Sequence, residues 1–138
     1  MHSIAIFSGT TIPVLEQVIN FAEARHNVLA GNIANMDTPG YRVRDLSPEM
    51  FHERLKRAIK EEKTGGAPLS SSGRSRENLN SLSKVGENLE GILYHDDSNV
   101  SIEQQVAEMS KNQAKHNIAL AIMSSQFRLL EAAISERP

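Results

Sequence analysis

The 138 residues have room for one domain or one extended module. Apolar residues make up 39% of the chain and aromatics only 4%, with no Trp; that is less than a compact enzyme of this size usually buries. A formal net charge of -2 gives no electrostatic pull toward nucleic acid or an acidic membrane, and the absence of Cys excludes disulfides and thiolate metal sites.

Residues 1–10, rich in Ser, Thr and Gly after a few apolar residues, read as a flexible terminal segment. They have neither the basic start nor the apolar length of a cleaved secretory signal. No run approaches 18 apolar residues, so no membrane span is expected. Thr11 suits an N-cap and Pro13 the first turn of a helix reaching about Asn35. Along it Ile12, Leu15, Ile19, Ala22, His26, Leu29, Ile33 and Met36 alternate in steps of three and four, with His26 the only polar member. Gly31 inside this pattern costs about 1 kcal/mol relative to Ala; the simplest reason for it is close approach of another backbone or a bulky side chain.

The helix should stop in Asn32-Ile33-Ala34-Asn35-Met36-Asp37-Thr38-Pro39-Gly40-Tyr41. Thr38 precedes Pro39 and is pushed out of the α region, while Pro39-Gly40 suits the centre of a type II turn. Asn35 or Asp37 can satisfy the last helical turn or start the next one. Tyr41 is then held in a fixed direction. As chemistry alone, this is an ordinary helix stop.

Arg42 to Asp45 reads as a polar extended segment with Val43 facing inward. Ser47-Pro48-Glu49 begins a second helix, with Met50, Phe51, Leu55, Ala58 and Ile59 on one face, ending near Lys63. Residues 64–100 read as a flexible, irregular middle. Within it Leu79, Leu82, Val85 and Leu89 support a weak helical turn or a short strand only against a neighbour, because ordering costs about 1–2 kcal/mol per residue. Ile92 to Val100 reads as one short strand and a turn. Asp96-Asp97-Ser98-Asn99 lacks the Gly and distal Glu of a calcium loop, so no metal is expected there.

Ser101 and Gln104 form a capping box opening a helix to about Glu136, roughly 50 Å long. Its heptad stripe is Ile102, Val106, Met109, Gln113, His116, Leu120, Met123, Phe127, Leu130 and Ile134. The fold expected is therefore all-α: terminal helices 11–36 and 101–136 packed as an antiparallel coiled-coil hairpin, with residues 37–63 a turn and a short middle helix. Placing Leu15 near Leu130 puts His26 opposite about Leu120, one turn from His116. This polar layer either fixes register at a cost in stability or reflects chance and partial exposure.

Catalysis is not expected. His2, His26, His52, His95 and His116 share no motif, and there is no phosphate-binding Gly loop, zinc-protease helix or paired carboxylate in an apolar setting. No cofactor follows either.

Seven specified positions in ten, Asn32, Ala34, Asn35, Thr38, Pro39, Gly40 and Tyr41, resemble the N-terminal signature of the bacterial flagellar rod, hook and hook-filament junction proteins. Arg42 to Asp45, Asp97-Ser98-Asn99-Val100 and Asn112-Gln113-x-Lys115-His116 are similar to the proximal rod branch of that family, where an aromatic is commoner in place of His116. The likeness covers roughly residues 12–46 and 96–136. It implies a structural subunit of the proximal rod, polymerising through its terminal helices as the inner layer of a helical tube and helping to carry torque from the membrane ring to the distal rod and hook. The implied partners are other rod proteins, the membrane (MS) ring with its adaptor, further copies of the chain, and the flagellar type III export apparatus. The implied location is the periplasmic rod of the basal body, reached without a cleaved signal. The packing interface expected is the two stripes above, the signature being the turn between helix and middle region. The competing readings are a small cytosolic coiled-coil adaptor or export chaperone, and a different proximal rod subunit.

Overall fold

Pro in the first turn and an Asn just past the last carbonyls bound the first helix, α1, Ile12–Ala34. Thr11 occupies its N-cap position without a side-chain cap, and the Asn35 backbone N–H closes the other end on the Gly31 carbonyl at 3.0 Å. The computed structural model describes residues 11–64, 81–97 and 99–136. After α1 come a short strand β1 (Arg44–Leu46), helix α2 (Pro48–Thr64), one helical turn α3 (Ser81–Lys84), a 3-10 turn (Glu90–Ile92), strand β2 (Leu93–His95) and the long helix α4 (Ile102–Ser135). The expected flexible segment at residues 1–10 and the linker at 65–80 lie outside the described residues.

The architecture is mostly helical, with α1 and α4 packed antiparallel. α4 opens as its sequence dictates: Ser101 is extended, and its hydroxyl accepts from the Gln104 N–H at 3.3 Å. Ser47 does the same for α2, accepting from the Met50 N–H at 3.2 Å, with Glu49 in the first turn where the helix dipole favours an anion.

The apolar core sits on the side of α1 away from α4. Phe21, Leu46, Phe51, Leu55, Ala58, Leu82, Val85 and Ile92 are buried together, and Phe21 and Phe51 stack with centroids 4.1 Å apart. α1 therefore has two buried faces, not one stripe, and its heptad pattern captures only the face toward α4.

Residues 81–92, read from sequence as a flexible stretch able to form a helical turn or strand only against a neighbour, carry defined structure, and the short strand expected within 92–100 is β2. Leu82, Val85 and Ile92 complete the core, and β2 pairs antiparallel with β1 (Arg44↔His95, Asp45↔Tyr94, Leu46↔Leu93). Burial against α1 and α2 supplies the apolar contact that four scattered residues lack locally. Gly86 matters here because its N–H reaches the Gln17 side-chain oxygen at 2.7 Å, where a Cβ would collide.

No unbroken run of 18 apolar residues occurs in α4, but by length and composition alone the helix is long and apolar enough to cross a membrane. In the C-terminal half of the helix Ser, Gln, Arg128 and Glu131 are outnumbered by Ile, Leu, Met, Ala and Phe.

Candidate functional site

The signature residues converge on one buried amide. Asn32 is fully buried, and its side chain makes the four hydrogen bonds an amide can make. Nδ2 donates to the Arg44 carbonyl at 2.6 Å and to Gln105 Oε1 at 3.0 Å; Oδ1 accepts from the Tyr41 hydroxyl at 3.0 Å and from the Arg44 N–H at 3.2 Å. One side chain on α1 thus pins the turn, β1 and α4 together.

The chain returns to that amide through a tight turn. The Tyr41 N–H donates to the Thr38 carbonyl at 3.2 Å and Gly40 has φ +78°, as a type II turn requires. Asn35 holds the helix end, donating through Nδ2 to the Gly31 carbonyl at 2.9 Å and accepting from the Thr38 hydroxyl at 3.3 Å. Ala34, Thr38, Pro39 and Gly40 are exposed. At Gly31 the approach is no tighter than ordinary contact: among the described residues a Cβ there would meet the Tyr41 hydroxyl at 3.9 Å.

Two turns earlier on α1, Arg25 is buried between two carboxylates. Nε and Nη2 grip Asp45 bidentately at 2.9 Å each, and Nη2 also reaches Glu108 on α4 at 3.0 Å. Lys111 donates to the other Glu108 oxygen at 3.3 Å. Burial works against the Arg25 charge, but the hydrogen bonds and charges of Asp45 and Glu108 outweigh it and hold the pKa above its ordinary value. For Glu108, burial pushes the carboxyl up, and the bonds and charges of Arg25 and Lys111 more than reverse this, leaving it below the usual range. Exposed Arg42 and Asp97 form a further ion pair beside the turn.

Farther along, Asn112 on α4 donates to the Ala22 carbonyl at 2.7 Å. Asn32 with Gln105, Arg25 with Glu108 and Ala22 with Asn112 fix the register of the hairpin. On it Leu15 falls opposite about Leu120, not Leu130, a slip of roughly 15 Å from the expected pairing. α4 then continues for about a dozen residues, roughly 18 Å, past the level of Ile12. His26, Gln113 and His116 still come together, lining one cleft of about 310 Å³ with Ala22, Glu23 and Asn112. Side chains lean toward their own helix N-terminus, so imidazoles on antiparallel helices lean toward each other. Both Nδ1 atoms are buried there and, among the described residues, unpartnered.

The interface on α4 is rotated from the stripe expected. Of the two heptad rows, Met109, His116 and Met123 are half-buried in the seam, and Leu130, beyond the level of Ile12, is half-buried as well. The other row is displaced by one residue: Gln105, Asn112 and Ala119 are buried, whereas Val106, Leu120, Phe127 and Ile134, together with Ile102 at the head of the first row, are 41–74% exposed. Gln113 is exposed too, bonding Asn117 on its own helix. On α1 all the expected positions from Ile12 to Ile33 are buried or half-buried. The rotation follows from α1 itself, whose buried Asn32 and Arg25 need polar partners that only the Gln105–Glu108–Asn112 side of α4 supplies. An unmet buried polar group costs about 1–3 kcal/mol, more if charged, comparable to the 1.5–3 kcal/mol from burying one aliphatic side chain. Sequence periodicity weighted the apolar row alone; the polar row Gln105, Asn112 with Asn32 opposite was the missed signal.

A two-helix hairpin clamped through this Asn-to-Tyr turn, with an apolar row left outside, is the arrangement against which known proteins can be compared. The pattern of a family described as "Flagella basal body rod protein" matches residues 20–42, a span that includes the whole signature. Fold and signature together define a structural subunit of the bacterial flagellar basal body rod. Among characterised proteins, the flagellar basal body rod protein FlgB of Aquifex aeolicus is 31% identical over 136 residues, covering 96% of this chain and 97% of the relative. FlgB of Salmonella typhimurium is 28% identical (82% and 84% covered) and that of Bacillus subtilis 23% (95% and 97%). The chain belongs to the FlgB family. No solved structure matches it.

Proposed function

We propose that this chain builds the proximal part of the rod by lateral packing of α4, its role being structural rather than catalytic. The observation that carries the reading is the division of labour along α4: a polar face closes the hairpin, and Ile102, Val106, Leu120, Phe127 and Ile134 remain outside. Those residues are the assembly surface. The signature residues Asn32, Asn35, Gly40 and Tyr41 act one step earlier, holding the hairpin in the register that presents it.

The partners are further rod subunits and the membrane ring with its adaptor, reached through the flagellar export apparatus into the periplasmic space. Many parallel helices locked side by side share a twisting load, which is how torque passes from ring to distal rod. The apolar length of α4 is read as a protein contact, because His116, Asn117, Ser124, Ser125, Gln126, Arg128 and Glu131 interrupt it with groups that hydrocarbon disfavours.

The test is Leu120→Asp, alone and with Ile134→Asp. Both sites are exposed, so the purified variants should keep wild-type helicity and unfolding temperature while cells lose rods and motility. Normal motility in the double variant would end this reading.

A further inference from the structure

Two imidazoles in the seam take no part in the hydrogen bonds that set the register of the hairpin. His26 on α1 and His116 on α4 line one cleft of about 310 Å³, with Ala22, Glu23, Asn112 and Gln113 completing its wall. In both rings Nδ1 is shielded from solvent and, among the described residues, has no hydrogen-bond partner; Nε2 of each ring is accessible or bonded. A neutral imidazole carries one proton on one nitrogen. On Nδ1 that proton would be a buried donor without an acceptor, a cost that Nε2 does not bear, so Nδ1 keeps its lone pair. The amide NH₂ groups on the wall donate elsewhere, Asn112 to the Ala22 carbonyl and Gln113 to Asn117. Two lone pairs without a donor therefore lie at the wall of one cleft.

We propose that this cleft binds a single divalent cation of the Zn²⁺ class, with His26 and His116 as its two protein ligands through Nδ1. Imidazole selects that class, since Ca²⁺ and Mg²⁺ take oxygen donors. Glu23, one turn before His26 on the same face, adds negative charge to the cleft. It is not counted as a third ligand, because among the described residues no three His, Cys, Asp or Glu are grouped to hold one ion. The remaining coordination positions belong to water, which distinguishes this open site from a four-ligand structural one, and the cleft has room for several waters at roughly 30 Å³ each. Both helices are already aligned, by Asn112 to Ala22 in the cleft itself and by Arg25 to Glu108 one turn away, so binding needs little further ordering. The ligands come from opposite arms of the hairpin, so the ion binds the folded chain in preference to the unfolded one and stabilises it. It acts as a second clasp on the alignment that the amides set.

The test titrates the purified full-length chain, stripped of metal with a chelator, with ZnCl₂ in a calorimeter and follows melting by circular dichroism. One ion should bind per chain without joining chains, and at about a hundredfold excess over its dissociation constant the unfolding temperature should rise by about 10 °C. MgCl₂ should do neither. His116→Phe, which keeps a ring in place without its nitrogens, and His26→Ala should each lose the binding and the shift; His2→Ala, His52→Ala and His95→Ala should keep both. Nitrogen-15 NMR of the wild-type imidazoles, which does not depend on how any variant folds, should show Nδ1 of His26 and His116 moving on addition of Zn²⁺, and no other histidine. Neither heat nor a change in melting up to about 1 mM ZnCl₂ would overturn the proposal and leave water between the rings. So would wild-type affinity in either His26→Ala or His116→Phe, or saturation at one ion per two chains, which would put the ligands on different copies.

Discussion

Replacing Asn32 by Ala removes four hydrogen bonds from one point. Gln105 is left at a buried site with no donor for its oxygen, a loss of about 1–3 kcal/mol, while the Arg44 backbone and the Tyr41 hydroxyl, partly accessible to water, lose about 0.5–1.5 kcal/mol each. The sum is about 2.5–7.5 kcal/mol, a large share of the roughly 5–15 kcal/mol that holds an ordinary domain folded. For a chain of this length it corresponds to a fall in unfolding temperature of about 10–25 °C. Thermal unfolding followed by circular dichroism measures it on the purified protein. Two companions separate hydrogen bonding from packing. Tyr41→Phe deletes one of the four bonds and should fall by only about 1 kcal/mol, and Asn32→Leu, which restores volume without polarity, should fall about as far as Asn32→Ala. If Asn32→Leu matched the wild type, the amide would be a spacer and the account of why α4 turns its polar side inward would collapse.

Gly40→Ala should destabilise by about 1–2 kcal/mol through its φ of +78° alone, because a Cβ there meets nothing within 4 Å; chemical denaturation would show it, and Gly40→Asn should recover part of the loss. Gly31→Ala should stabilise by about 0.5–1 kcal/mol, since the new methyl makes only an ordinary contact with Tyr41; a fall in the denaturation midpoint would contradict this. Glu108 has its folded pKa below that of the unfolded chain, so its bond to Arg25 stabilises fully above the ordinary carboxylate value of about 4.3 and is lost as pH falls through the lower folded value. Wild type should therefore exceed Glu108→Gln in stability at pH 7 and converge with it in acid; a gap independent of pH would rule out the charge as its source.

The helices, the signature turn and the pairing of chain ends were legible because each rests on local rules: Pro in a first turn, Ser before a helix, Gly where φ is positive. Register and rotation were not. They are set by Asn32 with Gln105, Arg25 with Glu108 and Ala22 with Asn112, contacts spanning 73 to 90 residues in which polar groups override an apolar repeat. The order of residues 81–92 was missed for a related reason: Leu82, Val85 and Ile92 look sparse in sequence and become a core only once Phe21 and Phe51 arrive from elsewhere.

A hairpin zipped by amides and one ion cluster has a practical property that a greasy seam would lack. Each of its neutral links is worth only about 1 kcal/mol net of exchange with water, so what they contribute is direction more than strength. Donors and acceptors set 73 to 90 residues apart in sequence satisfy one another in a single alignment of the two arms.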